Sequence, residues 1–157
     1  MADEIVIKNI IPAFHFKVEF LNQSGTTTEF PSVAFSEVSG IGIELQTEDI
    51  LEGGMNNYVI RLPKPPKYKN LVLKHALYSD PAQNQPLIKW ALSAVENFDF
   101  NPLTVAVSIM DTHDKALKTW NFEGAYPVKL TLTDLSASRN EVVIETLELA
   151  YRRFHLM

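Results

Sequence analysis

The feature of this sequence that most constrains its fold is a two-residue alternation of apolar and polar side chains. In "FHFKVEF" the apolar side chains are Phe14, Phe16, Val18 and Phe20, and polar ones stand between them. Adjacent residues of a strand point to opposite faces of a sheet, so this pattern predicts a strand that covers a core on one side. The alternation recurs in residues 41–45, 58–62, 71–77, 105–109 and 126–132.

The stretch "EVVIETLELAY" is also strand-like, but its apolar residues change parity. Val142 and Ile144 share one parity, whereas Leu147, Leu149 and Tyr151 share the other. Either a β-bulge intervenes or both faces of the strand are covered.

One segment has helical periodicity instead. "NQPLIKWALSAVEN" places Lys89, Ser93 and Glu96 on one face at spacings of four and three, as expected for the polar side of an amphipathic helix. Pro86 suits a first helical turn, where its missing N–H costs nothing. We therefore predict one helix from about 85 to 97 lying on a sheet. Its apolar stripe comprises Leu87, Ala91, Ala94 and Val95, widened by Ile88, Trp90 and Leu92.

The connecting segments are short and polar. "PKPPKYKN" is typical of a stiff loop with three prolines, and no linker, repeat or low-complexity tract divides the 157 residues. The sequence predicts a single domain over residues 1–157. Its fold class is mainly β (a β-rich α+β arrangement), with mostly antiparallel strands and one helix in the middle.

Composition limits the function classes. The formal net charge of −5 argues against a general nucleic-acid binder with a basic surface. The absence of cysteine excludes disulfides and cysteine metal sites. The start "MADEIVIKNI" lacks the profile of a secretory signal, and no apolar run approaches the ~20 residues of a membrane helix. These features predict a soluble, cytosolic product.

The motifs that suggest chemistry are weak. "SGIGIEL" has Gly40 and Gly42 but lacks the third glycine of a dinucleotide fingerprint, so bends that need positive φ are the better interpretation. "DTHD" contains His113 between two acidic residues, but its place between strands predicts a solvated hairpin turn. "KPPKYK" weakly resembles a basic and aromatic nucleic-acid patch. We predict no catalytic residue, no metal site and no cofactor.

The stretch "EDILEGGMNN" raises the question of whether Gly53 and Gly54 hold a ligand or serve as a mechanical bend. The chain has much sheet and no evident chemical site. A protein of this kind often pairs its sheet edges with other copies of itself. We therefore favour the mechanical role.

Two long stretches resemble a known family. "FPSVAFSEVSGIGIELQTEDILEGGMNNYVIRLPKPPKYKNLVLKHAL" and "WNFEGAYPVKLTLTDLSASRNEVVIETLELAYRRF" resemble the two halves of the tail tube proteins of contractile phages and phage-tail-like contractile injection systems. The resemblance spans residues 13 to 154. It departs at His75 and Ala76, where the family often has Arg-Gly, and at Leu130, where it often has Trp.

The resemblance implies two packed antiparallel sheets in a β-sandwich or barrel, with a flanking helix and an extended inter-subunit loop. The fold is similar to the tube protein of type VI secretion. The family implies homohexameric rings stacked into a hollow tube inside a contractile sheath. If each subunit gives four strands to the inner wall, the ring is a barrel of about 24 strands with a backbone radius of about 23 Å.

The resemblance also implies partners and location. These are other copies of the chain, a sheath protein, baseplate or tube-initiator proteins, tail-terminator proteins, and DNA or protein cargo in the lumen, without stable membrane anchoring. Assembly is expected in the cytoplasm of the producing bacterium. The product is then part of a phage tail or of an extracellular or cell-bound injection particle.

Residues 46–57 and 141–151 are the predicted assembly contacts, and the helix is predicted to face the sheath. The interface residues are Glu48, Asp49, Glu52, Gly53, Gly54, Met55, Asn56, Asn57, Asn140, Glu141 and Glu145, and the sheath-facing ones are Lys89, Ser93 and Glu96. One alternative is a monomeric β-barrel that binds a small ligand in an internal apolar cavity. A third hypothesis is a metal hydrolase around His113.

Overall fold

The computed structural model describes residues 11, 15–26, 30, 33–54, 57–138 and 141–157, except for the side chains of 81–84. These residues form nine strands and one helix. In chain order the elements are β1 (Phe16–Leu21), β2 (Glu37–Ser39), β3 (Ile43–Ile50), β4 (Ile60–Tyr68), β5 (Leu71–Ala76), α1 (Pro81–Asn97), β6 (Leu103–Met110), β7 (Ala116–Leu132), β8 (Ile144–Ala150) and β9 (Arg153–Leu156).

The long strand β7 joins two antiparallel sheets. Its first half pairs with β6 and β9, and its second half pairs with β8. The strand order is β1-β6-β7-β8-β5-β2, while β3 and β4 form a separate two-stranded ribbon. The prediction of a mainly β fold with two antiparallel sheets and one helix is confirmed. The sheets are not closed into a barrel, because β1 and β2 stand at opposite ends of this strand order.

The core lies between the two sheets, where the alternating residues of both meet. Phe122, Leu73 and Leu149 come from three different strands and are all completely buried. Burial of side chains of this size contributes roughly 1.5–3 kcal/mol each. The alternation therefore located most of the core-facing residues of the sandwich.

The alternation is wrong in residues 126–132. Val128 and Leu132 are exposed there and Pro127 is buried, because β7 has a register shift between Pro127 and Lys129.

The strand β8 shows no change of parity. Glu145, Leu147 and Leu149 are all buried, so the core face continues without a break. Val142 lies before the strand and is exposed. A register shift is present, but it lies in the partner strand β7, between Pro127 and Lys129.

The helix α1 closes one side of the core. Leu87, Ala91 and Ala94 are buried, and the Trp90 indole N–H donates to the carbonyl oxygen of Asn101 at 2.9 Å. The helix begins at Pro81, so Pro86 lies inside it and not in its first turn as predicted. Two apolar residues predicted to face the sheet, Leu92 and Val95, are exposed. Each follows a buried alanine by one residue. One residue is a rotation of about 100° around the helix, which turns these two side chains away from the buried face.

"PKPPKYKN" is not a loop, because residues up to Tyr68 belong to β4. Pro66 lies opposite Leu45 and Pro63 opposite Thr47 in the ribbon. Proline is tolerated in a strand that has an unpaired edge, where no ladder N–H is needed. A two-stranded ribbon leaves each strand such an edge.

Candidate assembly surface

The ribbon β3–β4 and its connecting segment 51–59, here called the arm, carries apolar residues on both faces. The register shift between Leu45 and Thr47 puts the extra residue in β4, so β3 keeps its parity and Ile43 and Leu45 lie on the face opposite Ile50. On β4 the cross-strand partners of Ile43, Leu45 and Ile50 are Tyr68, Pro66 and Ile60. One face therefore carries Ile43, Leu45, Pro66 and Tyr68, here called the apolar face, and the other carries Ile50, Ile60 and Leu62.

Most of the apolar side chains on the two faces of the arm are not covered by the rest of the chain. Ile43 is 55% exposed, Leu45 61% and Leu62 46%. The alternation in 41–45 and 58–62 predicted strands over this chain's own core, and that part of the prediction is wrong. Contiguous exposed apolar surface of this kind marks an interaction site in soluble proteins.

Toward the tip, the face here called apolar carries polar side chains, which hold the two strands in register. Arg61 Nε lies 3.2 Å from Asp49 Oδ1, and Arg61 Nη2 donates to Thr47 Oγ1 at 3.1 Å. On the other face, Lys64 Nζ lies 3.4 Å from Glu48 Oε2. Exposed pairs contribute at most about 1 kcal/mol each. The predicted interface residues Glu48 and Asp49 therefore already bind partners within the arm.

The base of the arm is anchored to the sandwich by aromatic contacts. The ring of Tyr68 packs edge-on against Tyr151 at 5.8 Å and Phe154 at 5.5 Å. The Lys69 N–H donates to the carbonyl oxygen of Gly42 at 3.2 Å. These contacts fix where the arm leaves the sandwich.

The tip of the arm carries the paired glycines. Gly54 has φ +98°, and a side chain at either Gly53 or Gly54 would meet no atom within 4 Å. Glu52 and Asn57 are exposed beside them, whereas Met55 and Asn56 lie outside the described residues. Only Gly54 has a backbone conformation that favours glycine.

The predicted contacts around β8 differ in their accessibility. Glu141 is exposed ahead of the strand, and Asn140 lies outside the described residues. Glu145 is 3% exposed, and its carboxylate faces His75 inside the chain. Burial raises the pKa of Glu145, and the nearby His75 acts in the opposite direction. The prediction that Glu145 reaches a neighbouring subunit is wrong, because it shares the core face of Leu147.

The outer side of α1 carries the predicted polar residues. Lys89 and Glu96 are exposed and Ser93 is half-buried. They lie beside the exposed Leu92 and Val95, so this surface is more apolar than the sequence indicated. Contact with a sheath remains a prediction.

The "DTHD" segment is a hairpin turn between β6 and β7. Asp111 Oδ1 accepts hydrogen bonds from the backbone N–H groups of His113 at 2.8 Å and Lys115 at 2.9 Å. These two bonds lower the pKa of Asp111. In the described part of the chain, no three His, Asp or Glu side chains are placed to hold a metal ion.

Sequence reasoning missed two features of the surface. The apolar face of the arm has the same pattern as a core strand, so no signal in the sequence separates them. Phe98 was not considered, although it follows the predicted helix and is the kind of large apolar residue found at interfaces. Among the described residues, no helix is both long and apolar enough to span a membrane.

Comparison with known proteins identifies the family. The family model described as T4-like virus tail tube protein gp19 matches residues 12–155. The search of curated proteins gives no match.

Solved structures share the fold. A chain of the anti-feeding prophage (AFP) baseplate is 24% identical with a TM-score of 0.81, over 95% of this chain and 96% of that chain. A chain of the PVC extracellular contractile injection system, in its extended sheath–tube complex, is 20% identical with a TM-score of 0.76, over 100% and 97%. Hcp1 from Flavobacterium johnsoniae is 15% identical with a TM-score of 0.55, over 91% and 94%. From the family match, this chain belongs to the family of the T4-like virus tail tube protein gp19 and is a tail tube protein.

Proposed function

We propose that this chain forms homohexameric rings that stack into the hollow inner tube of a contractile tail or injection particle, and that it has no catalytic activity. The observation that carries the proposal is the exposed apolar face of the arm, in a chain of the tail tube family. Tube subunits need a surface that only other subunits cover. The arm supplies one that projects from an anchored base.

The inner wall is assigned to the half of the sheet ordered β7-β8-β5-β2, which has four strands. Six copies would then make a barrel of about 24 strands, with a lumen of roughly 35–40 Å. That width suits either a nucleic-acid duplex or a compact protein as cargo. The short strand β2 ends this half of the sheet, and a neighbouring subunit would pair with its outer edge.

The arm supplies part of the assembly energy. Ile43, Leu45 and Leu62 are about half exposed, so covering each contributes roughly 1 kcal/mol. Specific interfaces bury above ~1,000 Å² in total. The arm therefore acts together with pairing between strand edges of neighbouring subunits. We place the exposed Glu52, Asn57 and Glu141 near these contacts between subunits.

The proposed partners follow from the particle. A contractile sheath encloses the tube, and baseplate or initiator and terminator proteins cap its ends. Similar chains come from structures described as a sheath–tube complex, a baseplate and a tube-terminating cap. We place assembly in the cytoplasm of the producing bacterium, before the particle is released or used.

A monomeric β-barrel that binds a small ligand is not supported. The sheets do not close into a barrel, and the space between them is filled by large side chains. Phe122, Leu71 and Leu147 meet there with almost no exposed surface.

The test compares two neighbouring residues on opposite faces of the arm. Leu45→Asp places a charge on the apolar face, whereas Glu44→Ala alters the opposite face. Electron micrographs of purified wild-type protein and Glu44→Ala should show rings or tubes, and Leu45→Asp should remain unassembled. Urea denaturation should give the same midpoint for all three. A wild-type protein that stays monomeric under all assembly conditions overturns the proposal.

A further inference from the structure

The C-terminal end of α1 presents a cluster of three aromatic rings, of which Phe98 and Phe100 are exposed and Tyr126 is half-buried. Phe98, the first residue after the helix, is 80% exposed and has φ +54°. Its ring packs edge-on against Phe100 at 6.0 Å, and Phe100 packs edge-on against Tyr126 at 5.5 Å. We call Phe98, Phe100 and Tyr126 the aromatic cap.

Phe98 is an unfavourable residue for this position as far as folding is concerned. A left-handed backbone costs a residue with a Cβ roughly 1–2 kcal/mol, and glycine or asparagine is usual after a helix. The Asp99 N–H donates to the carbonyl oxygen of Ser93 at 3.1 Å, a contact that needs no aromatic side chain. Because the ring is mostly in solvent, it adds little to the stability of the monomer. An external role accounts for it better.

The charge around the aromatic cap is negative and uncompensated. Glu96 and Asp99 flank Phe98 and are exposed, and α1 has no basic side chain in its last turn. The C-terminus of a helix is also the negative end of its dipole. In the portion of the chain that the structure describes, neither carboxylate forms an ion pair. A positively charged partner would interact favourably with both carboxylates and with the negative end of the helix dipole.

We propose that the aromatic cap binds a cationic segment of the enclosing sheath protein, with an arginine or lysine over the Phe98 ring and its charge near Glu96 and Asp99. A cation over an aromatic face is attracted by the ring quadrupole, and arginine can stack as well. Leu92 and Val95 extend the contact with apolar surface along α1. Another copy of this chain brings 19 acidic against 14 basic side chains, so its overall charge does not attract it to this acidic surface.

This inference rests on the proposed function, and its first test uses assembled tubes. Purified sheath subunit is sedimented with tubes of wild-type protein, Phe98→Gly and Phe98→Trp. Glycine suits the backbone of residue 98, so Phe98→Gly should keep or raise the denaturation midpoint and still form tubes. Its sheath binding should fall roughly tenfold, while Phe98→Trp retains binding. Unchanged binding by Phe98→Gly overturns the inference.

The electrostatic part is tested with a second variant. Glu96→Gln combined with Asp99→Asn should weaken sheath binding at low salt and flatten its dependence on salt concentration. A salt dependence equal to that of wild type contradicts the role of these carboxylates. If Phe98→Gly prevents tube formation itself, the aromatic cap contacts another copy of this chain and the inference is wrong.

A final test separates this inference from the proposed function. The unassembled chain is titrated with a fluorescein-labelled peptide of alternating arginine and leucine, and with the same peptide carrying glutamate for arginine. Binding of only the arginine peptide, lost in Phe98→Gly, supports a cationic partner even if wild-type protein forms no tubes. No difference between the two peptides overturns the inference, whether or not tubes form.

Discussion

The Nε2 atom of His75 lies 3.0 Å from the Oε2 atom of Glu145, and both side chains are almost completely buried. The two residues are cross-strand partners in β5 and β8. The other ring nitrogen, Nδ1, lies 3.0 Å from the carbonyl oxygen of Ala76, and Phe35 packs edge-on against the ring at 5.6 Å. A pair this well buried makes the core sensitive to protonation.

Glu145→Gln is expected to change how stability depends on pH. Burial raises the pKa of Glu145 in the folded state above its ordinary value of 4.5. The folded state therefore favours the protonated carboxyl. The contribution of Glu145 to the free energy of unfolding is fully present below pH 4.5 and is lost as pH rises through the raised pKa. Glutamine stays neutral and does not lose this contribution. The free energy of unfolding of Glu145→Gln should therefore rise relative to that of wild type as pH increases.

Urea denaturation of the unassembled protein between pH 4 and 8 measures this difference. Glu148→Gln is the matched control, because Glu148 lies on the same strand but on its outer face, where it accepts from the Asn70 side chain at 2.9 Å. A gap between Glu145→Gln and wild type that stays constant with pH contradicts the prediction.

Gly40→Ala should destabilise the fold, and Gly42→Ala should not. Gly40 has φ +83°, and a Cβ there would collide with the carbonyl group of Asn70. At Gly42 the nearest atom to an added Cβ is Lys69 Cδ at 3.6 Å, an ordinary contact. We expect Gly40→Ala to cost roughly 2 kcal/mol or more, combining backbone strain with the collision. Equal urea midpoints for the two variants would contradict this account.

Asp111 should contribute stability that is lost in acid. Backbone hydrogen bonds from Lys115 and His113 lower its pKa below the ordinary value of 3.8. Its contribution is therefore present above pH 3.8 and lost as pH falls through the lowered pKa. Asp111→Asn keeps an acceptor oxygen and should remove only the pH dependence, whereas Asp111→Ala should lower the urea midpoint at neutral pH. Parallel pH profiles for wild type and Asp111→Asn would show that the charge is irrelevant.

The sequence was sufficient for the sandwich except at the register shift in β7, because the other strands bury their apolar face within the chain. Leu71 and Leu149, for example, are completely buried, as the alternation predicts. It was insufficient for the arm, since the alternation of Ile43 and Leu45 does not state whether the covering surface belongs to the same chain or to another. Glu145 was misplaced for a related reason, because a carboxylate on a core face is unusual and only the position of His75 accounts for it.

The paired glycines at the tip of the arm provide the sharpest test of the mechanical interpretation. Gly53→Val and Gly54→Val should both leave a folded monomer that fails to stack, because the tip must fit against a neighbouring subunit. Gly53 has room for a side chain and no positive φ, so its monomer should keep wild-type stability. Gly54→Val should lose roughly 1–2 kcal/mol from strain at φ +98°.

Gly25→Val is the matched control, since Gly25 also has a positive φ of +77° and open space around it, but lies in the turn after β1. It should show the same strain as Gly54→Val in urea denaturation and still form tubes in electron micrographs. Strain alone would affect Gly25→Val and Gly54→Val equally, whereas a role of the tip in stacking affects only Gly53→Val and Gly54→Val. If both tip variants polymerise as wild type does, the arm is not the contact between subunits.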